Sequence, residues 1–429
     1  DAQESRGLGD VYKRQVKCRH CQAELTLPFL DLGHAPPSNA YLSAQALRGP
    51  ETWFPLRLLV CESCWLVQTE DHAGREALFT DDYAYFSSFS SSWLAHSRRY
   101  VDTMISRFGL DAQSMVTEVA ANDGYLLQYV QAAGIPCYGV EPTASTAQAA
   151  RDRGIEIVQR FFGVALGDEL ASGGRAADLI AANNVLAHVP DINDFVSGFA
   201  ALLKPQGVAT FEFPHLLCMV RESQFDTAYH EHYSYLSLTA VARIFQANGL
   251  SVFDVEHLPT HGGSLRVYAQ RLDTGRHEVL PEVERTLKEE QQAGMTNAGF
   301  YTRFQQQAER IKNDLLAFLV ELRRNGKRVA AYGAAAKGNT LLNFAGVRPD
   351  LLPYVVDLNP AKQGKYLPGS HIPIVAEDML RQDQPEYIVV LPWNLKTEVA
   401  QQLAYAREGW HAKLVTAVPN LAIDGGHDA

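Results

Sequence analysis

The chain has 429 residues, enough for two or three domains. Hydrophobic residues make up 46% and charged residues 20%, an ordinary balance that can fill a packed core. The formal net charge of -11 argues against nonspecific nucleic-acid binding, which rests on Lys and Arg meeting phosphates, yet leaves room for a local basic pocket for a diphosphate.

No run of about 18 apolar residues occurs, so no membrane partner is expected, and no apolar signal segment opens the chain. The first fifteen residues, DAQESRGLGDVYKRQ, are polar and aperiodic and are expected to be a non-native or disordered tail. Residues 16–75 are short, Pro-rich and cysteine-bearing. Cys18-x-x-Cys21 and Cys61-x-x-Cys64 supply four thiolates, a set that suits a structural zinc and leaves no open position for catalysis. Such pairs without a secretion signal point to a reducing cytoplasm. A redox pair is the rival, but it needs one such motif only. Cys137 and Cys218 lie in apolar stretches and read as packed thiols.

Residues 76–280 alternate strand-like with helical runs, which predicts a parallel, doubly wound α/β sheet with ligands at the carboxyl edge of its strands. The aromatic segment DDYAYFSSFSSS, with Tyr83, Tyr85 and Phe86, reads as a pocket lid or a hinge. MVTEVA then runs into Ala120, Asn122 and Gly124 before a helix. Small residues there let backbone approach a ligand, and the helix start adds partial positive charge. Glu118 opens this loop, and Glu141 ends the next strand, where an acid can hold two ribose hydroxyls. The three glycines of a dinucleotide fingerprint are missing, which favours S-adenosylmethionine over NAD. Asn184 and His188, in NNVLAHVPD, close another strand at the same edge, as cofactor or substrate contacts or as a structural histidine. GVATFEFP, preceded by a Pro-Gln-Gly turn, leads to Tyr229-His230-Glu231-His232-Tyr233, the densest chemistry in the chain. Imidazole takes protons near neutral pH, and methylating a carbon beside a ketone needs such a base. In a helical turn Tyr229 and His232 share a face, with Glu231 orienting a neighbour from the side. A packing cluster or a metal site are the alternatives.

Residues 281–425 open with polar helical stretches, including FQQQAERIKNDLLAFLVELRRNG, which spans a domain junction or covers the last domain. Its predicted stop is Gly326. A second strand, glycine turn and helix follow in RVAAYGAAAKGN. Lys337 and Asn339 sit at that helix start, a seat for phosphate, and Asp357 ends the next strand, YVVD. It is not a P-loop, because no Gly-Lys-Ser/Thr follows. The last domain either seats the nucleotide of an acceptor or is scaffolding.

Taken together, the four cysteines, AANDGYLL, GVEPT, NNVLAHVPD, YHEHYSYLS, GAAAKGNTLLNF, VVDLNPAKQGKYLPGSHIPI and PWN make the chain resemble the nucleotide-sugar C-methyltransferases of deoxysugar biosynthesis, from about Cys18 to Asn420. The resemblance implies a zinc module, a central Rossmann-like class I methyltransferase domain and a second Rossmann-like, substrate-binding domain. It also implies methylation at C3 of a thymidine-diphosphate-linked 4-keto-6-deoxysugar. Under it His232 matches the base, Tyr229 and Glu231 its partners, and Tyr83 an aromatic residue of the active-site cover. A sugar O-methyltransferase, a nicotinamide-dependent enzyme and a non-catalytic zinc-ribbon protein are the competing readings.

Overall fold

The computed structural model describes residues 16–70 and 86–424. The expectations for Tyr83 and Tyr85 and for the first fifteen residues lie outside these.

The amino-terminal module is an antiparallel sheet of β1 (Leu27–Ala35), β2 (Phe54–Val60) and β3 (Val67–Thr69). Leu56, Leu58 and Val60 alternate inward along β2, the period of a half-buried strand. The central sheet has seven strands, of which six are β4 (Val116–Val119), β5 (Cys137–Val140), β6 (Ile157–Val158), β7 (Ala177–Asn183), β8 (Leu203–Pro214) and β10 (Leu250–Leu258). The seventh, β11 (Ser264–Arg271), runs antiparallel between β8 and β10, giving the order β10-β11-β8-β7-β4-β5-β6. Its inner strands β5 (CYGV) and β7 (ADLIAAN) are mostly apolar runs because both faces are covered. One face packs under the helices that carry Phe195, Phe199 and Phe245, and the other under the helix Ser91–Phe108 with Tyr100 and Met104. The expected Pro-Gln-Gly turn is not a break. It lies within β8, where the pairing with β7 shifts register between Ala177 and Leu179.

β9 (Ser234–Tyr235) comes from the central part of the chain but pairs with β3, so the fourth strand of the amino-terminal sheet begins two residues after His232. The last sheet is β12 (Val329–Tyr332), β13 (Val355–Val356), β14 (Ile374–Val375), β15 (Tyr387–Val390), β16 (Lys413–Thr416) and β17 (Ala422–Asp424), ordered β14-β13-β12-β15-β16-β17, parallel except for β17. The long helix Phe304–Arg324 stops just before Gly326, which is left-handed at φ 66. It lies across the junction. Phe304 stacks on Phe29 of β1 at 4.7 Å, while Ile311, Leu315 and Leu319 share one core with Val329 and Val389 of the last sheet. The amino-terminal and carboxyl-terminal parts are therefore fused through this helix.

Candidate functional site

The two cysteine loops are built alike. Cys18 N–H donates to Ala23 O, Gln22 N–H to Cys18 O, and Gln22 is left-handed at φ 61. In the second loop Cys61 N–H donates to Leu66 O, Trp65 N–H to Cys61 O, and Trp65 stands at φ 65. The four Sγ atoms lie within 4.8 Å of one another, with Cys18–Cys64 at 3.5 Å and Cys21–Cys61 at 3.4 Å. Sulfurs around a tetrahedral zinc at ~2.3 Å stand roughly 3.8 Å apart, so the set fits a structural zinc. Arg19 inside the first loop donates to Thr69 O at 3.0 Å and to Pro190 O at 2.9 Å, which clamps the module to the central sheet.

Between the three parts lies a cavity of about 1000 Å³. The ends of β4 and β7 supply one wall. There Ala120 (φ 61), Asn122 (φ 49) and Asn184 (φ 54) are left-handed without being glycine, the kind of local strain that clusters at ligand sites. Gly124 (φ 77) lies behind the loop, where a Cβ would stand 2.4 Å from Ile155 Cδ1. Glu141 faces the cavity while its carboxylate accepts from Asn122 N–H at 3.0 Å and Thr143 N–H at 2.9 Å. Burial still raises its pKa. Asn183 and Asn184 also face the cavity, and the Oδ1 of each has no hydrogen-bond partner among the described residues. Unmatched acceptors, a buried acid and a close-approach loop fit the ammonium, ribose and backbone-hugging parts of S-adenosylmethionine. The structure does not put Glu118 on this wall. Its carboxyl is fully buried below the loop beside Tyr125, and burial lifts it well above the usual carboxylate range.

The YHEHY segment supplies another part of the wall through Tyr229 and His232, against the loop that follows β7. It is not a helix: a short 3-10 turn, Phe225–Thr227, is followed by a tight turn in which His232 N–H donates to Tyr229 O at 2.9 Å. Even so, Tyr229 and His232 meet, with ring centroids 4.0 Å apart, and both line the cavity. His232 Nδ1 lies 3.0 Å from Thr227 O. A carbonyl only accepts, so Nδ1 carries the proton and Nε2 keeps its lone pair. Burial, and then neighbouring His188, hold the His232 pKa well below its ordinary value. The His188 ring sits edge-on at 4.6 Å and is itself lowered to about 4 by burial. Glu231 points behind the turn, where it is buried and its Oε1 accepts from Asn39 Nδ2 at 3.3 Å. Asn39 is a cavity residue of the amino-terminal module, so Glu231 acts on the site at one remove.

The last domain closes the cavity with the start of the helix Ala336–Phe344. Lys337 lines it and donates to Asn394 Oδ1 at 2.7 Å over the Trp393 ring, and burial lowers its pKa. Asn339 faces away and donates to Ser38 O, while Thr340 Oγ1 donates to Ala228 O, so this helix docks on both other parts. Asp357 is also off the wall. It accepts from Ala334 N–H and Asn359 N–H, shaping the loop that presents Ala335 and Ala336 to the cavity.

Among the wall residues that the sequence did not single out are His261, Lys362, His96 and Arg266. His261 (φ 55) accepts from Asn184 Nδ2 at 3.2 Å and is lowered to about 4 by burial. Lys362 donates to Ala334 O at 2.9 Å. His96 and Arg266 both reach Glu212 Oε2, at 2.9 and 2.8 Å. Burial pushes the Glu212 carboxyl up, but His96 and Arg266 outweigh it and the net shift is downward. Single residues on separate elements leave no sequence signal.

The reversed strand in an otherwise parallel sheet, the loop after β4 and the acid after β5 define a class I, S-adenosylmethionine-dependent methyltransferase. Family models agree in order along the chain: a zinc binding domain over residues 18–79, a methyltransferase domain over 93–255 and a C-methyltransferase C-terminal domain over 259–419. The chain is 34% identical over 392 residues to C-methyltransferase NovU of Streptomyces niveus, covering 91% of this chain and 93% of that protein. The chain belongs to this C-methyltransferase family. Solved structures that resemble it include magnesium protoporphyrin IX methyltransferase of Synechocystis PCC 6803, at 15% identity and TM-score 0.34, covering 47% of this chain and 100% of that one. Another is the 1,6-didemethyltoxoflavin-N1-methyltransferase of Burkholderia thailandensis, at 18% identity and TM-score 0.35, covering 48% of this chain and 96% of that one. Among the described residues no helix is long and apolar enough to cross a membrane.

Proposed function

We propose that this S-adenosylmethionine-dependent C-methyltransferase acts on a nucleotide-diphosphate 4-keto-6-deoxysugar, at the carbon beside the ketone, C3 of the sugar. The observation that carries the reading is His232, whose Nδ1 is tied to Thr227 O and which lines the same cavity as Glu141 and Lys337. Ala120, Asn122, Glu141 and Asn184 would hold the methyl donor. When bound, the donor supplies an electrophilic methyl group on a sulfonium. His232 Nε2 takes the proton from the carbon next to the carbonyl, and its lowered pKa keeps it neutral and ready at pH 7. Tyr229, against the His232 ring, supplies a hydroxyl to the enolate oxygen. Glu231 holds Asn39 at the cavity rim. Lys337 and the helix start at Ala336 offer a cation and free N–H groups for the diphosphate.

The test is mass spectrometry of the purified protein with methyl donor and a panel of 4-keto-6-deoxysugar nucleotides deuterated at C3. A product that gains a methyl group and loses the C3 deuterium supports the reading. Methylation with the deuterium retained places the methyl group on oxygen and rejects it.

A further inference from the structure

Outside the cavity, three groups that the reaction does not use form a chain. His215, at the end of β8, puts Nε2 at 2.7 Å from Glu290 Oε1, and both side chains are almost wholly buried. Cys218 Sγ stands 3.9 Å from the other ring nitrogen, Nδ1. Glu290 is fixed from three further sides. It accepts from Leu238 N–H at 2.7 Å, from Thr239 N–H at 2.8 Å and from Thr239 Oγ1 at 2.6 Å. With the carboxylate locked and Nε2–H pointing at it, the imidazole has one orientation, and that orientation aims Nδ1 at the sulfur. His257 packs edge-on against the His215 ring at 6.0 Å. Cys218 itself is half-buried.

We propose that Cys218, His215 and Glu290 form a cysteine–histidine–carboxylate set, and that Cys218 is a site of oxidation by hydroperoxides. Sequence reading took this thiol for a packed one, but the geometry gives it a cation. Burial alone would lower the His215 pKa, yet Cys218 and Glu290 outweigh it and lift the imidazole to about 9. The thiolate is the nucleophilic form of any cysteine, and here the ring nitrogen Nδ1 stands beside the sulfur. In the step, the thiolate sulfur attacks one peroxide oxygen and the O–O bond breaks. The leaving hydroxide takes the Nδ1 proton and departs as water, the sulfur is oxidised to sulfenic acid, and the peroxide is reduced.

The sulfur is also placed to report to the active site. Gly263 sits on it so closely that a Cβ there would stand 2.6 Å from Sγ. His215 N–H donates to Gly263 O at 3.0 Å. The turn Thr260–Gly262 that precedes Gly263 carries Thr260 and His261 on the cavity wall. An oxygen added to Cys218 on the side of Gly263 would press on this turn.

The test uses the full-length, zinc-loaded protein. Limiting iodoacetamide at neutral pH, read by peptide mass spectrometry, should alkylate Cys218 about tenfold or more faster than Cys137, whose thiol burial pushes up to about 11. His215→Gln should bring Cys218 down to the Cys137 rate. Equal rates in the unaltered protein, or no slowing in the variant, overturn the proposal. A measurement without any variant stands beside it: dilute hydrogen peroxide with dimedone should leave the sulfenic adduct on the Cys218 peptide, and its absence is equally fatal. Hydrogen exchange of residues 260–263 should quicken after Cys218 is modified. Unchanged exchange overturns the link to the cavity.

Discussion

Replacing His232 by Asn separates the two nitrogens of the proposed base. The Asn amide reaches roughly where Nδ1 stands, so its N–H can still donate to Thr227 O, the 3.0 Å contact that orients the imidazole. Nothing then occupies the Nε2 position. Ring contacts with His188 at 4.6 Å and Tyr229 at 4.0 Å are lost. Removing a positioned general base costs on the order of 10²–10⁴ in rate. A central value of about 10³ corresponds to roughly 4 kcal/mol of transition-state stabilisation. The variant should therefore turn over about a thousandfold more slowly under single-turnover conditions with saturating donor. Its affinity for S-adenosylhomocysteine, by calorimetry, should stay within about twofold of the parent, because Glu141 and Asn184 are untouched. Solvent deuterium exchange at the sugar carbon without methyl donor should fall in step, since it reads proton removal alone. Turnover within tenfold of the parent would refute the assignment of His232 as base.

The pH dependence follows from the same group. His232 must be neutral to act, and its pKa is lowered well below 6.5, so kcat/KM should be level between pH 6.5 and 8 and fall only on the acid side. An acid limb centred at or above 6.5 would contradict the buried environment. Asp226 is fully buried, accepts from Trp393 Nε1 at 2.8 Å, and is raised by burial from 3.8 to about 6. Its folded carboxyl thus holds protons more tightly than the unfolded one, and stability is lost as pH rises from about 4 through 6. Asp226→Asn keeps the Trp393 contact without that penalty, so denaturant titrations should show its advantage over the parent widening by roughly 3 kcal/mol between pH 4 and pH 7. A gap that does not change with pH disproves the shift. Stripping zinc should abolish methyl transfer without direct contact with the chemistry. Thr69 of the zinc module donates to His232 O at 3.1 Å, and β3 pairs with β9 directly after the Tyr229–His232 turn. Full activity in chelated, metal-free protein would show that the module does not hold the turn. Finally, Gly124→Ala should lower the melting temperature and fail to keep parental donor affinity, because φ 77 and the Ile155 contact at 2.4 Å both resist a methyl group. Unaltered melting and binding would show that the loop yields.

Much of the site was legible because its chemistry is local. Cys-x-x-Cys loops need only a few consecutive residues to point two sulfurs at one ion. The loop after β4 and the acid after β5 sit at strand ends, which the α/β alternation orders along one edge. Tyr229 and His232 are three residues apart and meet in a tight turn, as they also would in a helical one. Other placements depended on where side chains turn. Glu118, Asn339 and Asp357 lie within one to five positions of wall residues in sequence, but their side chains point into the core or into neighbouring loops, and no short motif encodes that choice.

The order of amino acids by itself determined the zinc ligands, two alternating α/β series and a concentration of acid–base groups after β8, because each depends on periodicity or on spacing within a few residues. Only the tertiary structure decided that β9 completes the amino-terminal sheet, that one helix welds the first part to the last, and that His96, His261, Arg266 and Lys362 surround the same space. Such contacts join residues scores or hundreds of positions apart. They form when buried apolar faces choose their partners, which is a property of the packed whole rather than of any local stretch.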